Sequence, residues 1–176
     1  MQAPLVMTLL GPDRTGLVEA VARTVSTHGG NWLESRMCRL GGEFAGILRI
    51  EIPADKKAVL LDALQKIPGL HVVVRPDETK IAPASDHARQ TRFEIVGSDR
   101  PGIVHEITSA LARARVNVEE FSSEVVSAPM SGETLFKASA RLQLPEHCDL
   151  EALKKDLEKI AADLLVDVSF GELSPV

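Results

Sequence analysis

Aromatic residues are scarce in this chain: one tryptophan, five phenylalanines and no tyrosine among 176 residues. Single-stranded nucleic acid is held by stacking on such rings along a basic groove, and duplex DNA by lysine and arginine against phosphate. The charge here has the wrong sign for either, −5 overall. Residues 1–86 carry ten basic and ten acidic side chains and residues 87–176 ten basic and fifteen acidic, so the excess acid lies in the second half. The expectation is no direct contact with nucleic acid. Cysteine is also scarce. Cys38 and Cys148 stand apart, without C-x-x-C spacing or a matched histidine pair, and are expected to be reduced, buried thiols. No apolar run is long enough to cross a bilayer, and the N-terminus "MQAPLVMTLLGPDR" lacks the order of a signal peptide. A cytoplasmic protein without membrane contact is the expectation.

What the chain does have is apolar side chain, 44 % of it, and that content is written twice. "GPDRTG" at Gly11–Gly16 returns as "GSDRPG" at Gly97–Gly102, so that Asp13, Arg14 and Gly16 fall on Asp99, Arg100 and Gly102, each 86 residues on. In the same register Leu17, Val18, Val21 and Val25 fall on Ile103, Val104, Ile107 and Leu111, an apolar helical face in each copy. Asn31 then falls on Asn117.

Phe44, Gly46, Leu48, Ile50 and Ile52 alternate down a strand that stops at Pro53. Phe136, Ala138, Ala140, Leu142 and Leu144 do the same and stop at Pro145, 92 residues on. The second copy thus has six extra residues in the preceding hairpin, where "SAPMSGE" with Met130 replaces the tight "LGGEF". A helix follows each proline, and "LHVVVR" from Leu70 and "LLVDVSF" from Leu164 read as closing strands. The order strand, helix, strand, strand, helix, strand predicts an α+β fold. Each copy is a ferredoxin-like βαββαβ unit, a four-stranded antiparallel sheet with both helices on one face. The polar, proline-bearing "PDETKIAPASDHARQ" separates them, giving units 1–76 and 91–176 and a linker 77–90. The bare sheet faces, with Ile47 and Leu135 on them, call for cover, and the two domains are expected to touch and to form a homodimer.

The repeated phrase lies between the first strand and the first helix of each copy. Pro101 fits the first helical position, which puts Gly102 inside the first turn and leaves open N–H groups that favour an anion. The glycines are expected to stay bare, either for a ligand or for close packing of helix on strand. Charged pair, helix end and the opening of strand two are expected to meet at one end of the sheet, where a carboxylate and an ammonium could both be held. Plainer roles stand beside this one: Asp13 and Asp99 as caps, Arg14 and Arg100 as solvated charges, Asn31 and Asn117 as turn residues.

With the D-R-x-G turn, the helix after it and the "N-[WV]" opening of strand two, each copy resembles an ACT domain, a small regulatory module that senses amino acids. The stand-alone pair, with "LGGEFAGIL" and "SAPMSGETLFKA", is similar to the glycine cleavage system transcriptional repressor family. That resemblance implies a non-enzymatic regulator, with an amino acid such as glycine as effector and no other cofactor. It would act by contact with a partner transcription activator. It also implies a ligand site made of Asp13, Arg14, Thr15, Gly16 and Asn31, with Asp99, Arg100, Pro101, Gly102 and Asn117, between the first turn of one domain and strand two of another. Acidic Glu119, Glu120 and Glu124 on strand two set the second copy apart.

Rival chemistry finds little support. "HEITS" at His105 has Ser109 where a zinc helix needs its second histidine, and there is no G-x-S-x-G or P-loop. An acylphosphatase would place an arginine in the first loop and an asparagine on strand two, as Arg14 with Asn31 does, but Asp13 beside the arginine would repel a phosphate. A dimerising scaffold without ligand is the other alternative.

Overall fold

The computed structural model describes residues 1–77, 89–128, 132–171 and 174–175. Most of the expected linker, residues 78–88, and Met130 lie outside them. The chain divides into two units, Met1–Lys80 and Ile81–Val176.

Unit 1 runs β1 (Gln2–Pro12), α1 (Leu17–Thr27), β2 (Asn31–Leu40), β3 (Glu43–Pro53), a 3-10 turn at Ala54–Lys56, α2 (Lys57–Gln65) and β4 (His71–Pro76). Unit 2 repeats the order with β5 (Arg89–Ser98), α3 (Ile103–Arg113), β6 (Asn117–Ser127), β7 (Thr134–Leu144), α4 (Leu150–Leu164) and β8 (Val166–Phe170), and adds a short β9 (Ser174–Pro175). The sheets have strand orders β2-β3-β1-β4 and β6-β7-β5-β8, and β9 pairs with the start of β5. All pairings are antiparallel. These are the two ferredoxin-like α+β units that the periodicity predicts.

Alternation decides which face of each sheet is covered. Leu5, Met7 and Leu9 of β1 and Leu48, Ile50 and Ile52 of β3 are buried against Leu17, Val21 and Val25 of α1 and Leu60 and Leu64 of α2. Phe93, Ile95, Leu142 and Leu144 meet Ile103, Ile107, Leu111, Leu153 and Leu157 in the same way in unit 2. Burying one such side chain contributes about 1.5–3 kcal/mol, which is why each unit has its own core.

Several local expectations are corrected. Val18 and Val104 do not belong to the buried helical face; both are exposed, because a step of one residue turns a helix by about 100°. Leu164 ends α4 instead of opening the last strand, and Leu165 turns the chain with a φ of 55°. Cys38 is exposed and Cys148 half-buried; both are free thiols. Trp32 is half-buried and packs on the first core.

Candidate ligand site at the repeated turn

Each end of the repeated phrase has its own physical reason. Gly11 and Gly97 occupy equivalent places where strand one meets the entry to the last strand. A Cβ on Gly11 would lie 2.6 Å from the Gly69 carbonyl oxygen, and one on Gly97 would lie 2.5 Å from the Val166 Cα. Those glycines are bare for packing. Gly16 and Gly102 are different. They are the residues immediately before α1 and α3, with φ of 84° and 99°, and a Cβ there would meet nothing within 4 Å. A left-handed backbone, costly for any residue with a Cβ, requires glycine at both. Close packing is therefore not their reason, and Gly102 precedes the helix instead of lying in its first turn.

Neither helix start has a side-chain cap. Asp13 and Asp99 do not cap, contrary to the plainer expectation; a left-handed glycine occupies the cap position at both helices. Asp13 forms an ion pair with Arg39 Nε at 2.8 Å. Its backbone N–H donates to the Gly42 carbonyl at 2.9 Å, and that of Asp99 donates to the Thr134 carbonyl at 3.1 Å. The hairpin after strand two is thus tied to the phrase in both units. In unit 1 it closes through Gly41 and Gly42, both at positive φ. Sequence reasoning missed Arg39; its place at the end of β2, beside the Gly-Gly turn, was the available signal.

Arg14 reaches across to the turn before β4, its guanidinium 3.4 Å from the Pro68 carbonyl oxygen. A recess of about 460 Å³ runs along that turn, from Gln65 to Val72. Asp99 and Arg100 have no ion pair or side-chain hydrogen bond to another described residue, so the second copy is the less self-satisfied of the two. Thr15 and Pro101 are exposed beside them.

The asparagines do not join this group within their own unit. Asn31 stands opposite Glu51, and Glu51 opposite Pro4, at the beginning of β1. Asn117 stands opposite Gln143, and Gln143 opposite Gln90, at the beginning of β5. Nine residues of strand separate Pro4 from Asp13, roughly 30 Å. The reason is topological: α1 returns the chain along the sheet, so β2 starts where β1 started. The expectation that turn and asparagine meet at one end of the same sheet is corrected.

A family model for the ACT domain matches residues 3–73 and again 93–171. The chain belongs to the ACT domain family. Its two matched ACT segments coincide with the two sheets. Over 167 residues the chain is 24 % identical to the glycine cleavage system transcriptional repressor of Escherichia coli, covering 94 % of this chain and 85 % of that protein. Among solved structures, an unknown protein from Galdieria sulphuraria superposes with a TM-score of 0.84 at 26 % identity, over 99 % of this chain and all of that one. A structure provisionally assigned as a glycine cleavage system transcriptional repressor gives 0.65 at 20 % identity, over 100 % and 99 % of the two chains. It is a likeness of fold.

Proposed function

We propose that this tandem ACT protein is a non-enzymatic, cytoplasmic regulator that responds to a free amino acid and acts by contact with a partner protein. The observation that carries the reading is the pair of helix starts without a side-chain cap, each entered through a left-handed glycine and each beside an aspartate–arginine pair. Open N–H groups and an arginine suit a carboxylate; an aspartate suits an ammonium. An amino acid carries both. Asp99 and Arg100 are the better candidates, since Asp13 is already engaged by Arg39.

Likeness to a glycine cleavage system transcriptional repressor supports glycine as the first effector to try, and we take the partner to be a transcription activator of glycine cleavage. Net charge −5 and the lack of a basic stripe favour action through protein and not through DNA. Association as a homodimer completes the proposal.

A thermal-shift screen of the common amino acids tests it, because a ligand of the native state raises apparent stability by mass action. An upward shift for a small amino acid, reduced in Arg100→Ala, is the expected result. No shift with any amino acid would leave the scaffold reading in its place. Light scattering of the purified protein tests the dimer.

A further inference from the structure

The two sheets have matching registers but open faces of different chemistry. Across unit 1 the rows facing away from the helices read Glu34, Arg49, Val6, Arg75 and then Arg36, Ile47, Thr8, Val73. Across unit 2 the first of these rows reads Glu120, Arg141, Arg92 and the second Ser122, Ser139, Glu94, Ser169. Arg92 stands where the first copy has Val6, and Ser139 where it has Ile47. This places two arginines directly opposite each other on neighbouring strands, an arrangement that costs stability unless something offsets it.

The offset within the chain is uneven. Arg141 pairs with Glu120 at 2.6 Å and Glu119 at 3.4 Å, and Glu119 also accepts from the Gln90 amide. Among the described residues Arg92 has only Glu94 of its own strand, at 3.3 Å, and its side chain is 71 % exposed. Between them lies a recess of about 370 Å³ lined by Arg92, Arg141, Glu120, Ser122 and Ser139. That is the low end of ligand-pocket volumes, room for a small molecule.

Unit 1 shows how the equivalent ground can be filled. Arg49, the counterpart of Arg141, receives the carboxylate of Asp77, 2.9 Å from its Nε and 2.8 Å from a terminal nitrogen. That carboxylate is almost fully buried over the sheet.

We propose that the open sheet face of the second ACT unit is a binding site for a small zwitterion, its carboxylate on Arg92 and the Ser139 and Ser122 hydroxyls, its ammonium on Glu120. Two guanidiniums facing three carboxylates disfavour a simple anion, whereas a molecule with both charges pairs with both walls. The site is separate from the turn at Asp99–Gly102 and does not depend on it.

The test is NMR titration of the full chain with glycine, L-alanine, L-serine and L-aspartate, and with acetate and ethylamine as half-ligands. At least one amino acid should move the amide resonances of Arg92, Ser122 and Ser139, and bind about tenfold more tightly than either half-ligand. Arg92→Val, which installs the residue that the first copy carries, should weaken that binding by about tenfold or more with an unchanged circular dichroism spectrum. Arg100→Ala should leave it intact, which separates this site from the one at the turn. The proposal is overturned if no probe moves those resonances up to about 10 mM. Acetate binding as well as the amino acids, or affinity indifferent to Arg92→Val, would overturn it equally.

Discussion

A glycine can be needed for two unrelated reasons, and the repeated phrase contains both. Gly11 and Gly97 yield space to a neighbouring backbone; Gly16 and Gly102 supply a dihedral angle in open space. Gly97→Ala should therefore overpack the junction with Val166 and lower unfolding free energy by about 1–3 kcal/mol in a urea titration. Gly102→Ala should cost about 1–2 kcal/mol through backbone strain alone, and Gly102→Asn less, since asparagine tolerates the left-handed region. Equal losses for alanine and asparagine at Gly102 would show that conformation is not the cause. The thiols separate in the same way. Burial pushes the Cys148 thiol above its ordinary pKa, with Arg89 pulling it back only in part. Cys38 is exposed, so iodoacetamide should label it first, and labelling of Cys148 should accelerate only as pH rises past the ordinary thiol range. Because the folded state holds that proton more tightly than the unfolded chain, stability from this group declines as pH rises through the same range.

Among the helices of the described residues, α4 is the one that begins with a side-chain cap: the Asp149 carboxylate accepts from the Ala152 N–H at 3.0 Å. Replacing it with alanine should cost about 1 kcal/mol in a thermal melt, and Asp149→Asn should recover most of that. The helices after the repeated phrase forgo this contribution at Gly16 and Gly102. The contrast is between a helix start with a side-chain cap and two without one.

Over the whole molecule, duplication gives each ACT unit a separate core, built from equivalent positions 86 residues apart in the first strand and helix and 92 apart in the third strand. Leu64→Ala and Leu157→Ala should each cost about 2–5 kcal/mol within its own unit. Hydrogen exchange should show the loss of protection confined to the unit that carries the substitution; spread to both would mean the cores fold as one. In a gel shift at physiological salt the purified chain should not retain duplex DNA, since its net charge is −5 and Arg49 and Arg141 on the sheets are paired with acids. Retention of a specific sequence would count against action through a partner.

The order of elements, the two cores and the repeat were legible in the sequence because alternation and helical periodicity depend only on local spacing. Leu48, Ile50 and Ile52 announce a strand face whatever lies across from them. The reason for each glycine was not legible, because a crowded Cβ at Gly97 and a left-handed φ at Gly102 look alike as letters. Nor was the place of Asn31 relative to Asp13, which follows from the direction in which α1 returns along the sheet. The pairing of Arg92 with Arg141, 49 residues apart in the chain, depends on register between β5 and β7. Local sequence sets which residues turn inward; only the closed sheet sets which of the outward ones stand side by side, because cross-strand neighbours are fixed by hydrogen-bonding register.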